Sequence, residues 1–95
     1  MKKYEVMYII RPTLDADAIA KEVKTLNEVF TNNNSKVLEV NEWGLKELAY
    51  EIEKNHKGYY VVLTVEATVE AVNEFNRVVG YNENILRHIV VNAAE

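Results

Sequence analysis

Cysteine is absent from the 95 residues, proline occurs once and glycine three times. Without cysteine there are no disulfides and no thiolate chemistry, which is compatible with a reducing compartment. The dispersed Gly44, Gly58 and Gly80 make no phosphate-cradling loop. His56 falls in an expected loop and His88 in an expected strand, with no pattern that gathers metal ligands or a catalytic base, so neither metal nor cofactor is expected. No apolar run approaches the roughly 18 residues of a membrane span. Lys2 and Lys3 ahead of residues 4–10 imitate the start of a secretory leader, but Glu5 interrupts that run and Arg11-Pro12 ends it; a cytoplasmic first strand is the expectation. Surplus positive charge is missing too, since eleven Lys and Arg against fifteen Asp and Glu leave a net charge of −4. Phosphate binders usually concentrate positive charge on one surface, and none stands out in the linear sequence.

What is present suits one compact unit spanning residues 1–95: 48% hydrophobic residues supply a core and 27% charged residues supply a hydrated surface. Tyr4, Val6, Tyr8 and Ile10 recur at strand spacing, and the intervening Met7 and Ile9 make the run almost continuously apolar, as in a central strand. Pro12 favours a turn. Asp15 is placed to cap a helix whose stripe is Ile19, Val23, Leu26 and Phe30, ending in Thr31-Asn32-Asn33-Asn34.

A long extended segment follows over 36–52, with Gly44 marking a bend where the alternation changes. Lys54-Asn55-His56-Lys57-Gly58 reads as a polar connection into a strand over 59–66, giving an antiparallel hairpin. In that strand Tyr59, Val61, Leu63 and Val65 share one face, and Tyr60, Val62, Thr64 and Glu66 the other. Thr68 caps a second helix over 69–79, with Val72, Phe75 and Val79 inward and Gly80 leaving it in a left-handed conformation. In a last strand over 85–91, Leu86, His88 and Val90 alternate with Arg87, Ile89 and Val91.

With the first helix over 16–31 and the first strand over 3–10, the order is βαββαβ. This predicts an α+β, ferredoxin-like split βαβ fold: a four-stranded antiparallel sheet with two helices on one face. The other face is left to carry Met7, Ile9, Tyr60, Val62, Ile89 and Val91, an apolar platform suited to protein packing or base stacking.

Catalytic patterns are wanting. Carboxylate pairs such as Glu51/Glu53 and Asp15/Asp17 carry no specificity among fifteen acids and read as solvated charge or helix caps. Acylphosphatase-like enzymes share the element order, but Arg11-Pro12 does not reproduce their phosphate-binding loop, and fold alone supplies no chemistry. Lys57-Gly58-Tyr59-Tyr60-Val61-Val62 partly resembles the aromatic strand of an RNA recognition motif, without its later aromatic or its companion signature. The scattered cations Lys2, Lys3, Arg11, Lys46, Lys54, Lys57 and Arg87 sit at strand ends and loops, where contacts to phosphate would position RNA rather than read its bases.

One resemblance covers nearly the whole chain. Lys2-Lys3-Tyr4-Glu5-Val6-Met7-Tyr8-Ile9-Ile10-Arg11-Pro12, Glu42-Trp43-Gly44, Leu48-Ala49-Tyr50-Glu51-Ile52, Lys57-Gly58-Tyr59-Tyr60 and Asn84-Ile85-Leu86-Arg87-His88 occur in order. Together they resemble the family of the sixth protein of the bacterial small ribosomal subunit. That resemblance implies a non-catalytic, ribosome-associated cytoplasmic protein with no small-molecule substrate and no membrane partner. It also implies binding to the central domain of the small-subunit (16S) ribosomal RNA together with the eighteenth small-subunit protein. On the same basis Lys2, Lys3, Lys54 and Arg87, and further Lys46 and His88, are the expected RNA contacts. Trp43 and Tyr50 are expected to shape the long hairpin or a partner surface, joined by Tyr60, Val62, Ile89 and Val91 on the open sheet face.

The chain departs from that pattern after Trp43-Gly44. The family commonly carries basic residues before Leu-Ala-Tyr, whereas Leu45-Lys46-Glu47 stands here, and Val91-Asn92-Ala93-Ala94-Glu95 adds no basic extension. Glu47 repels phosphate and Leu45 removes a cation. The expectation is a partner in a joint RNA surface rather than an independent binder. A non-ribosomal interaction or regulatory module using the open sheet face is the alternative.

Overall fold

A computed structural model of the chain describes residues 2–52 and 54–93. Its elements are β1 (Lys2–Ile10), α1 (Ala16–Thr31), β2 (Lys36–Ile52), β3 (Asn55–Ala67), α2 (Val69–Gly80) and β4 (Ile85–Asn92). The strands form one antiparallel sheet in the order β2-β3-β1-β4, so β1 and β3 are central and β2 and β4 are edges. This is the βαββαβ ferredoxin-like arrangement.

Period-two alternation decides which side chains meet the helices. Val6, Tyr8 and Ile10 on β1 and Val61, Leu63, Val65 and Ala67 on β3 form the floor of the core, held in line by pairs such as Val6 with Leu63 and Tyr8 with Val61. Onto that floor α1 lays Val23, Leu26 and Phe30, and α2 lays Ala71, Phe75 and Val79. Phe30 stacks on Phe75 with centroids 4.9 Å apart, and Tyr8 tilts against the same ring at 6.2 Å. Each fully buried Phe contributes about 1.5–3 kcal/mol by removal from water, and each ring pair about 0.5–1.5 kcal/mol more.

Side-chain caps set both helix starts. Asp15 accepts a 2.8 Å bond from the Ala18 amide, and the Thr68 hydroxyl accepts from Ala71 at 3.1 Å. Asn34, at φ 60°, takes the left-handed turn after α1. Helix α2 ends differently from the expectation at Gly80, which is its last helical residue. Tyr81 follows in a right-handed conformation, and the Tyr81 and Asn82 amides close the last turn on Val78 and Val79. Glycine's left-handed freedom is not used there because Asn82 and Asn84 make the turn instead, the Asn84 amide donating to the Asn82 side chain at 2.9 Å.

Four irregularities among the described residues shape the sheet. Leu38 and Trp43 are extra residues in β2, opposite no partner of their own, and Gly44 beside the second bulge has φ 83°. In β4 the extra residue is Leu86, so Ile85 rather than Leu86 joins the core beneath α2, and alternation resumes from Arg87. At the end of the β2–β3 hairpin, Glu47 pairs with Lys57 and Ile52 with Asn55, leaving four residues of β2 opposite one of β3. The segment 55–58, expected as connection, is strand; Lys54 at φ 67° lies in the turn itself. In 55–58 only Gly58 is buried, and His56 and Lys57 are exposed, as their polarity requires.

Candidate binding surface on the uncovered sheet face

The face away from the helices divides into three zones along β1. Around Lys3 and Glu5 it is charged: Glu5 and Glu39 stand opposite Thr64 from either side, and Lys3 and Lys36 flank Glu66. Glu39 is further held by a 2.7 Å bond from the Asn41 amide group. In the middle, Met7 pairs with Val62 on one side and Ile89 on the other, and Val91 lies beside Glu5. These residues and Trp43 line an apolar groove of about 220 Å³ with Glu5 at its rim. Trp43 is 53% exposed, Ile89 47% and Val91 49%, large apolar exposures for neighbouring residues on one face.

The bulge gives Trp43 its place. Being an unpaired extra residue, it swings onto the uncovered face and stacks on Tyr60, rings 6.1 Å apart and 9° from parallel. Lys46 brings its ammonium to 5.9 Å from the same indole.

The third zone is covered. Residues 48–51 leave the ladder, which resumes at Ile52, and Leu48, Ala49, Tyr50 and Ile52 line a small cavity of about 160 Å³ with Ile9, Tyr60 and Arg87. Ile9 is consequently only 3% exposed on a face whose neighbours are open. Gly58 permits the approach, since a Cβ there would collide with Ile9 Cγ2. Tyr50, from one edge strand, reaches Arg87 on the other: the Arg87 guanidinium donates to the Tyr50 hydroxyl and lies 5.1 Å from its ring centroid.

The expected site residues are therefore partly gathered and partly dispersed. Trp43, Tyr60, Val62, Ile89 and Val91 share the uncovered face, with Tyr50 reaching over it from 48–52. Lys2 and Lys3, exposed, pair with Ala67 and Glu66 at the end of the sheet remote from the hairpin turn that carries exposed Lys54. Lys46 sits on Trp43. Arg87 and His88 are adjacent in sequence but point to opposite faces, His88 meeting the edge of Phe75 at 6.2 Å on the helix side. Burial holds the His88 imidazole below its ordinary pKa, favouring the neutral ring.

Arg87 and His88 also border a depression of about 700 Å³ along the α2–β4 connection, together with Arg11. Arg11 fixes that connection: its amide donates to Asn84 O at 2.7 Å and its guanidinium to Glu83 O at 2.8 Å. From the helix side Glu22 accepts from the side-chain amides of Asn82 and Asn84, at 2.9 and 2.7 Å. This Glu22 clasp and the covering of Ile9 had no signal in the sequence, because each joins residues far apart in the chain.

Two tyrosines on the helix side are kept protonated. Tyr8 is pushed well above the usual phenol range chiefly by burial, and its hydroxyl makes a long 3.4 Å bond to Asn27. Tyr59 is raised chiefly by donating to Glu42, at 2.8 Å. Neither is poised as a nucleophile or base near neutral pH.

Comparison with known proteins gives the family. The family model of ribosomal protein S6 matches residues 3–92. The small ribosomal subunit protein bS6 of Phytoplasma mali (strain AT) is 50% identical over 91 residues, which is 96% of this chain and 97% of that protein. The crystal structure of 30S ribosomal protein S6 from Thermotoga maritima superposes with a TM-score of 0.93, covering 97% of this chain and 87% of that one; at 22% identity it establishes the shared fold. The family is one of ribosomal structural proteins and not of enzymes. The family-model match over residues 3–92 and the 50% identity across nearly the whole chain, on a half-covered ferredoxin-like sheet, make the chain a member of the ribosomal protein S6 family of the small ribosomal subunit.

Proposed function

We propose that this chain acts without catalysis in the bacterial cytoplasm, binding the central domain of 16S ribosomal RNA jointly with the eighteenth small-subunit protein. The observation that carries the reading is the exposed apolar groove of Met7, Trp43, Val62, Ile89 and Val91 on a chain whose net charge is −4. Such a groove fits a protein partner, and the dispersed cations fit an RNA surface that the partner completes. In this reading Trp43, Tyr60, Val62, Ile89 and Val91 pack against the partner, with Tyr50 at the margin. Lys2, Lys3, Lys46, Lys54 and Arg87 contact phosphates, and His88 contributes as a neutral hydrogen-bonding ring from the helix side of β4, across the strand from Arg87.

The test measures binding of a central-domain RNA fragment by this chain, by the eighteenth protein, and by both. The expected result is weak or no binding by this chain alone and salt-sensitive binding by the pair. Equal binding with and without the partner would overturn the joint surface; no binding in any arrangement at low salt would overturn the RNA role.

A further inference from the structure

Arg87 is the one proposed RNA contact whose charged group is already held by another side chain's hydroxyl and ring together. Its holder, Tyr50, comes from the opposite edge of the sheet, 37 residues away. Residues 48–51 have no ladder partner between Glu47 and Ile52; they rest against Ile9 and Tyr60 and are tied by the Arg87 clasp, with Glu51 facing His56 at 3.4 Å. The segment leaves β2 downstream of the Trp43 bulge and Gly44, whose φ of 83° provides the bend that aims it inward. Tyr50 itself remains 56% exposed, so it is anchored by Arg87 rather than buried in the core.

We propose that residues 48–52 form a strap that competes with RNA for Arg87: in the free chain Tyr50 holds the guanidinium, and phosphate binding requires that this clasp open. The inference rests on the reading of Arg87 as a phosphate contact. The clasp takes the Nη1 donor and, through the cation–π contact, one face of the guanidinium, so a phosphate must displace Tyr50 to be gripped by the Nη1/Nη2 fork. The free chain is then a mixture dominated by the closed clasp, and observed RNA affinity is reduced by the fraction that is open. The strap also extends the binding surface when lifted, because Ile9 and Tyr60 beneath it continue the groove toward Arg87. An unassembled chain thereby keeps the exposed Arg87 guanidinium engaged by its own hairpin.

The test compares the intact chain with Tyr50→Ala, Tyr50→Phe, Arg87→Ala and the double variant Tyr50→Ala/Arg87→Ala. Each is titrated with the central-domain RNA fragment over a range of salt, with the eighteenth protein at a concentration that saturates every variant. Tyr50→Ala is expected to bind about three- to tenfold tighter, and Tyr50→Phe, which keeps the ring, to fall between. Tyr50→Ala should leave the salt slope unchanged because Arg87 reaches the same phosphate, whereas Arg87→Ala should reduce the slope by about one. The double variant should bind no tighter than Arg87→Ala. If Arg87→Ala weakens binding but Tyr50→Ala does not tighten it, the strap proposal is overturned while the RNA role of Arg87 stands. An Arg87→Ala variant that binds normally overturns both. Exchange of the Arg87 Nη1 protons, followed by NMR at low temperature in the free chain, gives a reading independent of RNA: protection in the parent that persists in Tyr50→Ala would also overturn the clasp.

Discussion

Replacing Gly58 by Ala adds one methyl group where β3 passes beneath Leu48, and the position of that methyl is fixed by the backbone. Its nearest neighbour would be Ile9 Cγ2, well inside contact distance, with Leu48 Cδ2 at 3.5 Å and the Ile10 carbonyl oxygen at 3.7 Å behind it. Ile9 cannot turn away freely, being β-branched, paired in the central strand opposite Tyr60 and enclosed by the residues of the strap. Overpacking of this kind costs about 1–3 kcal/mol. Against it stands the ordinary benefit of Ala over Gly in a regular element, about 0.5–1 kcal/mol. The net expectation is a loss of about 1–2 kcal/mol, which in a domain of this size lowers Tm by roughly 5–15 °C.

Urea denaturation followed by far-UV circular dichroism measures the loss, with the slope m confirming an unchanged unfolding transition. Two companions separate collision from generic effects. Gly80→Ala, where a Cβ meets nothing within 4 Å, should be neutral or stabilising by up to about 1 kcal/mol. Ile9→Ala combined with Gly58→Ala should cost less than the sum of the single changes by about 1 kcal/mol or more, because the first removes what the second strikes. A Gly58→Ala variant as stable as the parent would refute the reasoning, since β3 would then have room that the packing of Ile9 denies it.

Trp43→Ala is expected to weaken association with the eighteenth protein by about thirtyfold, as for a central aromatic anchor, while lowering stability by only about 1 kcal/mol; calorimetric titration and urea melts measure the two. Glu22→Ala removes the acceptor of two side-chain amides and should cost about 1–2 kcal/mol in urea, with faster amide exchange across residues 82–85. The depressed pKa of His88 means that the unfolded chain takes up a proton more readily than the folded one. Stability is therefore full above the ordinary histidine value of about 6.5 and falls as pH drops through it toward the lower folded value. His88→Gln should flatten that part of the stability profile measured between pH 7.5 and 5, a window of roughly that width about the ordinary value.

The parts of the fold that were legible in sequence are those governed by near neighbours. Alternation through Tyr4, Val6, Tyr8 and Ile10 reports one pleated surface, and Asp15 and Thr68 bind amides three residues ahead, so local spacing suffices. Gly44 announced a break because few other residues accept φ 83°. Leu86 misled because an inserted residue changes the parity of everything before it, and nothing in Ile85-Leu86-Arg87 says which residue is extra. The open face was legible as a set of apolar positions, and Met7, Val62, Ile89 and Val91 do converge there. Ile9 belonged to the same set by alternation but is covered by a segment some 40 positions later, a contact that depends on the hairpin's length and curvature. Arg87 could be named as a cation, but its engagement by Tyr50 required the sheet order that brings both edges to one face.

The two bulges of β2 bear on more than the placement of Trp43. An edge strand of 17 residues offers a long row of unsatisfied amides and carbonyls to any extended chain that comes alongside, and that is how β-proteins aggregate. Here the extra residues at 38 and 43 and the departure at 48 cut the edge into in-register runs of no more than four residues, with Glu39, Glu42, Glu47 and Glu51 spaced along it. Each interruption reverses which backbone groups face outward, so an incoming strand that matches one run is out of phase with the next. The irregularity that turns an indole onto the sheet thus also denies a template to fibril growth, in a protein whose free face already exposes large apolar side chains.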